Sequence, residues 1–256
     1  MISIIMPAYN AERYIEESIH SVLQQSCPDW ELIIIDDCSY DETQRIVKPY
    51  TLQYANIHYY KNEQNLGVAE SRNRGISLAS GDWIAFLDSD DCWHPDKLQK
   101  QLNLAASQHA ERSQNVQFLF TGSAFIDENS QSLNYYLPAP SKISYHELLK
   151  QNVVSCSSVM IRKELIRQYP MKHASKMHED FAVWLQILRD KQICAYGIDE
   201  PLLIYRVSST SKSGNKIKAA IMTFHVYRYL GLGIFPACYY WLCYTVRSLK
   251  KYRHLV

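Results

Sequence analysis

The chain has 256 residues, 47% of them apolar, with 27 Lys and Arg against 26 Asp and Glu. That length and apolar content allow one large domain, or one domain with an appendage. Its seven cysteines are odd in number and form no CxxC pair, which argues against a zinc site or a disulfide framework and for a reducing compartment.

Near-neutrality hides an asymmetry. No Asp or Glu follows Glu200, while residues 201–256 hold nine Lys and Arg. Such a tail faces polyanions, either anionic lipid or nucleic acid. The chain opens directly on Ile2–Met6, with no basic n-region and no cleavage site, so no secretory signal is expected.

Ile2–Met6 is a near-continuous apolar run broken at Pro7. Asn10 is placed to cap a helix in which Ile15, Ile19, Val22 and Leu23 recur at helical spacing. Glu31–Ile35 is a second buried strand ending in Asp36-Asp37, after which Ser39 or Asp41 caps a short helix through Val47. Ile57–Tyr60 is a third strand. Asn65-Leu66-Gly67 is a turn, followed by a helix to about Ala79 that Gly81 ends. Trp83–Leu87 is a fourth strand, Pro95 starts another helix, and Val116–Phe120 is a fifth strand. Beyond Pro138 come a short helix over Ser144–Gln151 and a strand over Ser157–Ile161. His178-Glu179-Asp180 then leads into a helix with Phe181, Trp184, Leu185 and Leu188 on one face. A strand over Leu202–Val207 and a small polar loop, 208–214, precede helices that run to the C-terminus.

Apolar runs separated by helices indicate a mostly parallel sheet covered on both faces. Ligands of such sheets bind beyond the carboxyl ends of the strands. Three strand ends carry distinctive polar groups: Pro7-Ala8-Tyr9-Asn10, Asp36-Asp37 and Asp88-Ser89-Asp90-Asp91. All three are expected on one rim.

That rim suits a nucleoside diphosphate. Tyr9 can stack on a base or pack near its strand end. Asp37 can accept from a base N–H or be a solvated turn residue, and Asp88 can bond ribose. Asp90 can ligate Mg²⁺ or Mn²⁺, hard cations that bridge one or two carboxylates to a diphosphate. The alternative for Asp90 and Asp91 is a cap on the helix begun by Pro95. Arg72 and Arg74 lie on the helix after Gly67, as ligands or as a solvated face. Asp180 sits in a first helical turn, where it complements the helix dipole or stays ionised as a general base. Glu179 beside it can orient an acceptor hydroxyl.

Five segments, in order and at matching spacing, resemble the family 2 glycosyltransferases of GT-A fold. They are Ser3–Asn10, Glu31–Ser39, Asn65–Asn73, Phe86–Asp91 and His178–Asp180. The likeness covers about residues 1–212, divided near 130 into a nucleotide-binding and an acceptor-binding half, with 213–256 as a basic, aromatic helical tail. Within the family the chain looks most like bacterial transferases of teichuronic acid, capsule or lipopolysaccharide synthesis. The resemblance implies a nucleotide-sugar donor, a UDP-sugar first, and a glycan or lipid-linked acceptor. It also implies inversion at the anomeric carbon. Pro7, Ala8, Tyr9, Asp37, Arg72 and Asp88 would hold the nucleotide. Asp90, with Asp88, would hold Mn²⁺ or Mg²⁺, and Asp180 would be the base beside Glu179. Many relatives carry a His after the Tyr-Arg pair of the last strand. Here Val207 and Ser208 follow Tyr205-Arg206, and Arg206 or Lys212 is left to offset diphosphate charge.

Leu230–Val246 carries no formal charge, yet it is short of a spanning helix and is interrupted by Pro236 and two glycines. Basic residues follow at once. This pattern suits peripheral attachment to the inner face of the cell membrane from the cytoplasm, the alternatives being a helical cap or an oligomer contact. Nucleic acid is not expected, because the stretch is too apolar. A sugar nucleotidyltransferase would need a basic Gly-rich loop where Pro7–Asn10 stands, and a nicotinamide dehydrogenase would need GxGxxG after a strand. The remaining rival is a catalytically silent nucleotide-sugar-binding or scaffold subunit, which should have lost these carboxylates.

Overall fold

The computed structural model describes residues 1–112, 116–172, 175–207 and 216–251. In chain order the elements are β1 (Ile2–Ala8), α1 (Ile15–Leu23), β2 (Trp30–Asp36), α2 (Thr43–Gln53), β3 (Ile57–Lys61), α3 (Val68–Leu78), β4 (Trp83–Phe86) and β5 (Cys92–Trp93). There follow α4 (Lys97–Arg112), β6 (Phe118–Ile126), β7 (Ser132–Leu137), β8 (Lys142–Ile143), α5 (Tyr145–Lys150), β9 (Met160–Arg162) and α6 (Lys163–Ile166). The last four are α7 (Glu179–Asp190), β10 (Ala195–Arg206), α8 (Lys216–Tyr229) and α9 (Ile234–Lys251).

All the strands join one sheet in the order β3-β2-β1-β4-β9-β6-β10-β5, with β7 on β6 and β8 on β10. The four N-terminal strands are parallel to one another. The antiparallel β9 joins them to the second half, where β6 and β10 run parallel. Because strand side chains alternate, each strand feeds two cores. Ile5, Ile33, Ile35, Ile84 and Phe86 face one layer, and Ile4, Met6, Leu32, Ile34 and Ala85 face the other. Each of these larger side chains contributes about 1.5–3 kcal/mol when fully buried. That explains why these runs read as continuously apolar. Gly75 lets α3 approach the sheet, since a Cβ there would lie 2.4 Å from Ile5 Cγ2.

The α/β class and the covered sheet agree with expectation, and several local details differ. Asn10 does not cap α1; it adopts φ +49, and its side chain accepts the Tyr40 N–H. α2 continues beyond Val47 to Gln53 through Pro49, whose exposed position leaves the freed carbonyl to water. Asp41, of the two residues weighed, accepts the Thr43 N–H at its start, while the Ser39 hydroxyl accepts from Asn10 N–H. Cys156–Ser158 is a single 3₁₀ turn, and the strand begins only at Met160. The loop 208–214 lies outside the described residues.

The C-terminal helices share the core of α5 and α7. Val226, Tyr227, Leu230 and Ala237 are buried there. Tyr227 donates to the Leu149 carbonyl at 2.6 Å, and the Trp241 indole donates to the Ala220 carbonyl at 2.8 Å.

Candidate active site

The register decides what meets on the rim. Ala8 pairs with Asp36 and Ile5 with Phe86, so the segments after β1, β2 and β4 leave the sheet side by side. The strand order 3-2-1-4 reverses direction between β1 and β4, which is where ligands of open α/β sheets bind.

Pro7 and Ala8 are the buried end of β1, and Tyr9 follows them into solvent, 47% exposed. Tyr40, 83% exposed, meets the Tyr9 ring edge-on with centroids 6.2 Å apart. Asp37 is buried. It accepts from Asn62 Nδ2 at 2.7 Å, Leu66 N–H at 2.9 Å and Gly67 N–H at 2.7 Å, and so pins the turn before α3. Gly67 holds φ +88 there, a conformation that a side chain would strain.

Asp88 leaves β4 with its backbone N–H on Ser157 Oγ at 3.1 Å and its side chain 31% exposed. Arg72 reaches it from α3, donating to Asp88 Oδ1 at 2.6 Å and to Glu179 Oε1 at 2.9 Å. Arg72 is only 4% exposed, and its Nε is buried without a partner. Burial opposes its charge, but Asp88 and other acidic neighbours, Glu179 among them, hold it firmly protonated.

Glu179, expected to orient an acceptor hydroxyl, is buried and paired with Arg72. Arg72, expected to hold the nucleotide, donates through both arms to carboxylates.

Asp90 is pushed up to about 6 by burial and then by the Asp88 charge. Asp91 is raised by burial and then by Asp90; its Oδ1 accepts the Arg206 N–H, and its Oδ2 is buried without a good hydrogen bond. Neither residue caps α4, which starts at Lys97. Two of the three carboxylates on this turn, Asp90 and Asp91, resist ionisation, a crowding of negative charge that a cation would relieve. That chemistry fits a hard divalent cation. Among the described residues no group of three or more His, Cys, Asp or Glu is disposed around a single point. The chain would thus supply one or two carboxylates, as such ions accept beside a bound diphosphate.

Arg206, expected to offset diphosphate charge, is tied into the fold. Its side chain is wholly buried, with Nε on the Asp90 carbonyl at 2.8 Å and Nη2 on Glu17 at 2.6 Å. Nη1 bonds Ser130 Oγ at 2.8 Å, and the guanidinium lies 4.2 Å from the Tyr14 ring centroid. It braces the acidic turn through the Asp90 carbonyl and the Asp91 carboxylate. Lys212 lies outside the described residues.

Asp180 stands in the first turn of α7, one residue from Glu179. Burial and then the Glu179 charge raise its pKa, with Arg72 pulling the other way. Such a carboxylate holds a proton better than a solvated one does. Sequence reasoning missed Ser157, Asn62 and Tyr40. Ser157 and Asn62 reach the site through long-range packing, which no local pattern signals. Tyr40 was visible only as an aromatic beside Asp37.

The family model described as Glycosyl transferase family 2 matches residues 3–169. A Bacillus subtilis glycosyltransferase, TuaG, named provisionally for teichuronic acid biosynthesis, is 40% identical over 98% of this chain and 97% of its own. The Escherichia coli UDP-Glc:alpha-D-GlcNAc-diphosphoundecaprenol beta-1,3-glucosyltransferase WfgD is 35% identical over 98% and 95%. Among solved structures, Staphylococcus aureus TarS 1-349 in complex with UDP-GlcNAc superposes with a TM-score of 0.73 at 20% identity, over 90% of this chain and 65% of that one. The Pyrobaculum calidifontis mannosyltransferase PcManGT, in complex with GDP-Man and Mn2+, gives 0.66 at 17%, over 91% and 64%. At such identities the likeness to solved structures is one of fold, the GT-A fold.

Proposed function

This chain belongs to glycosyl transferase family 2, and from that premise we propose that it is an inverting, cation-dependent transferase. It moves a sugar from a UDP-linked donor to a hydroxyl of a lipid-linked acceptor in cell-surface polysaccharide synthesis. The observation that carries this reading is the Arg72 bridge. One buried guanidinium joins Asp88 on the rim to Glu179 in the first turn of α7, and Asp180, the candidate base, is the next residue of that turn. The donor glucose and diphosphoundecaprenol acceptor in the name of WfgD support the choice of UDP-sugar and lipid-linked acceptor.

In this reading Tyr9 stacks on the base and Asp88 bonds the ribose. Asp37 positions the base indirectly, through the Leu66–Gly67 backbone it holds. Asp90, with Asp88, would hold Mn²⁺ or Mg²⁺, which when bound neutralises the charge of the departing diphosphate. Asp180 takes the proton of the acceptor hydroxyl as its oxygen attacks the anomeric carbon. The bond to the diphosphate oxygen breaks with its electron pair leaving on the nucleotide, so one displacement inverts the centre. The chain works at the inner face of the membrane, where such an acceptor is presented. The test is a screen of nucleotide sugars for cation-dependent hydrolysis, and for transfer to diphosphoundecaprenol-linked sugars. A UDP-sugar should be turned over by the native protein and not by Asp90→Ala. Indifference to every UDP-, GDP-, CMP- and dTDP-sugar would refute the reading.

A further inference from the structure

The outer side of α9 is a continuous apolar face that nothing in the site uses. Phe235 is 85% exposed, Leu242 59% and Tyr239 57%, and Ile234 and Val246 are also open to solvent. Phe235, Tyr239, Leu242 and Val246 follow at intervals of four, three and four. At 3.6 residues per turn that confines them to an arc of about 60°. The opposite side cannot exchange with it. Ala237 is fully buried there, Tyr240, Trp241 and Tyr244 pack on the core, and the Trp241 indole is bonded to α8. The helix is therefore pinned with its apolar stripe outward, and from Phe235 to Val246 the stripe is about 17 Å long.

The geometry points to an anionic bilayer surface as the occupant of this face, an inference that rests on the placement at the membrane proposed above. Among the described residues no helix is long and apolar enough to cross a membrane, so α9 lies along the surface. Charge selects lipid over a second copy of the chain. Beyond Arg206, whose charge is paired with Glu17, the chain holds eight basic and no acidic residues, and a pair of such tails would repel. On the neighbouring α5 the negative charge of Glu147 is offset by Lys150 on the same helix. Phe235 and Tyr239 are of the kind that settles at the boundary between headgroups and acyl chains, while the basic residues meet the headgroups.

The test is co-sedimentation of the whole protein with vesicles of equal parts phosphatidylglycerol and phosphatidylcholine, against vesicles of phosphatidylcholine alone. Native protein should pellet with the first and be released by high salt. The double variant Phe235→Glu/Leu242→Glu should partition about 100-fold more weakly. A second variant, Phe235→Ser/Leu242→Ser, should weaken partition without adding charge, and circular dichroism should show both variants folded. Failure of the native protein to pellet, or equal pelleting of the folded variants, overturns the inference. So does a native dimer in light scattering that the variants dissolve, since that gives the face to a second copy. Donor hydrolysis, measured in solution without vesicles, separates this from the catalytic reading: its loss in native protein would sink the transferase and leave the pelleting result standing.

Discussion

Arg72 and Glu179 are 107 residues apart in the chain and 2.9 Å apart in the fold, both buried, with Asp88 on the other arm of the guanidinium. A buried pair of this kind is worth little when compared with an apolar replacement, but breaking it is costly, because a charge is left unpaired. The bridge therefore acts as a spacer between β4 and α7 more than as a source of stability.

Arg72→Ala should lose about 3–5 kcal/mol in urea denaturation, since two carboxylates lose one partner. Arg72→Lys should recover only part, because one ammonium cannot reproduce the planar fork. The double variant Arg72→Met/Glu179→Leu should be more stable than Arg72→Ala. Simple additivity of the two single losses would argue against the bridge.

Asp180→Asn should retain donor binding and lose transfer by about 10²–10⁴-fold, the usual worth of a general base. A base must be ionised, and burial and the Glu179 charge raise the Asp180 pKa. The acid limb of the transfer rate should therefore lie above the ordinary aspartate range. Glu179→Gln removes a charge that raises the pKa and frees Arg72, which lowers it. Both effects should move the limb to lower pH in pH–rate profiles.

Burial, and then the Asp88 charge, push Asp90 up to about 6 from an ordinary 3.8. Its folded-state pKa is raised, so the folded chain holds the proton more tightly than the unfolded one. Stability from this residue is full below the unfolded value and declines as pH rises from about 4 to about 6. Manganese should raise the Tm by several degrees at pH 8, at about 2–4 °C per kcal/mol of binding, and much less at pH 5. Asp90→Asn should raise the Tm of the metal-free protein at pH 8 and abolish the manganese response in scanning calorimetry.

Arg206→Met should reduce stability by about 3–5 kcal/mol, because Glu17 and the carbonyls of Asp90 and Asp127 lose their donor. Its folded fraction should keep the native KM for the donor. A raised KM with unchanged stability would return Arg206 to the diphosphate.

Much of this was legible in the residues alone. Ile2–Met6, Glu31–Ile35 and Trp83–Leu87 read as strands buried on both faces, and each is followed by polar groups. A parallel sheet must bring those ends to one rim, so Tyr9, Asp37, Asp88 and Asp90 could be grouped before any coordinate was known. Helical periodicity likewise placed Asp180 at the head of α7. What the chain order could not decide is which charges face each other. Arg72 and Glu179, Arg206 and Glu17, and Asp88 and Ser157 meet through packing between distant elements. Their partners depend on how helices settle on the sheet, and no periodicity encodes that. The outer face of α9 is of the same kind: its apolar residues are plain in the sequence, but only the packing of Trp241 and Ala237 against the core determined which of them would be left in water.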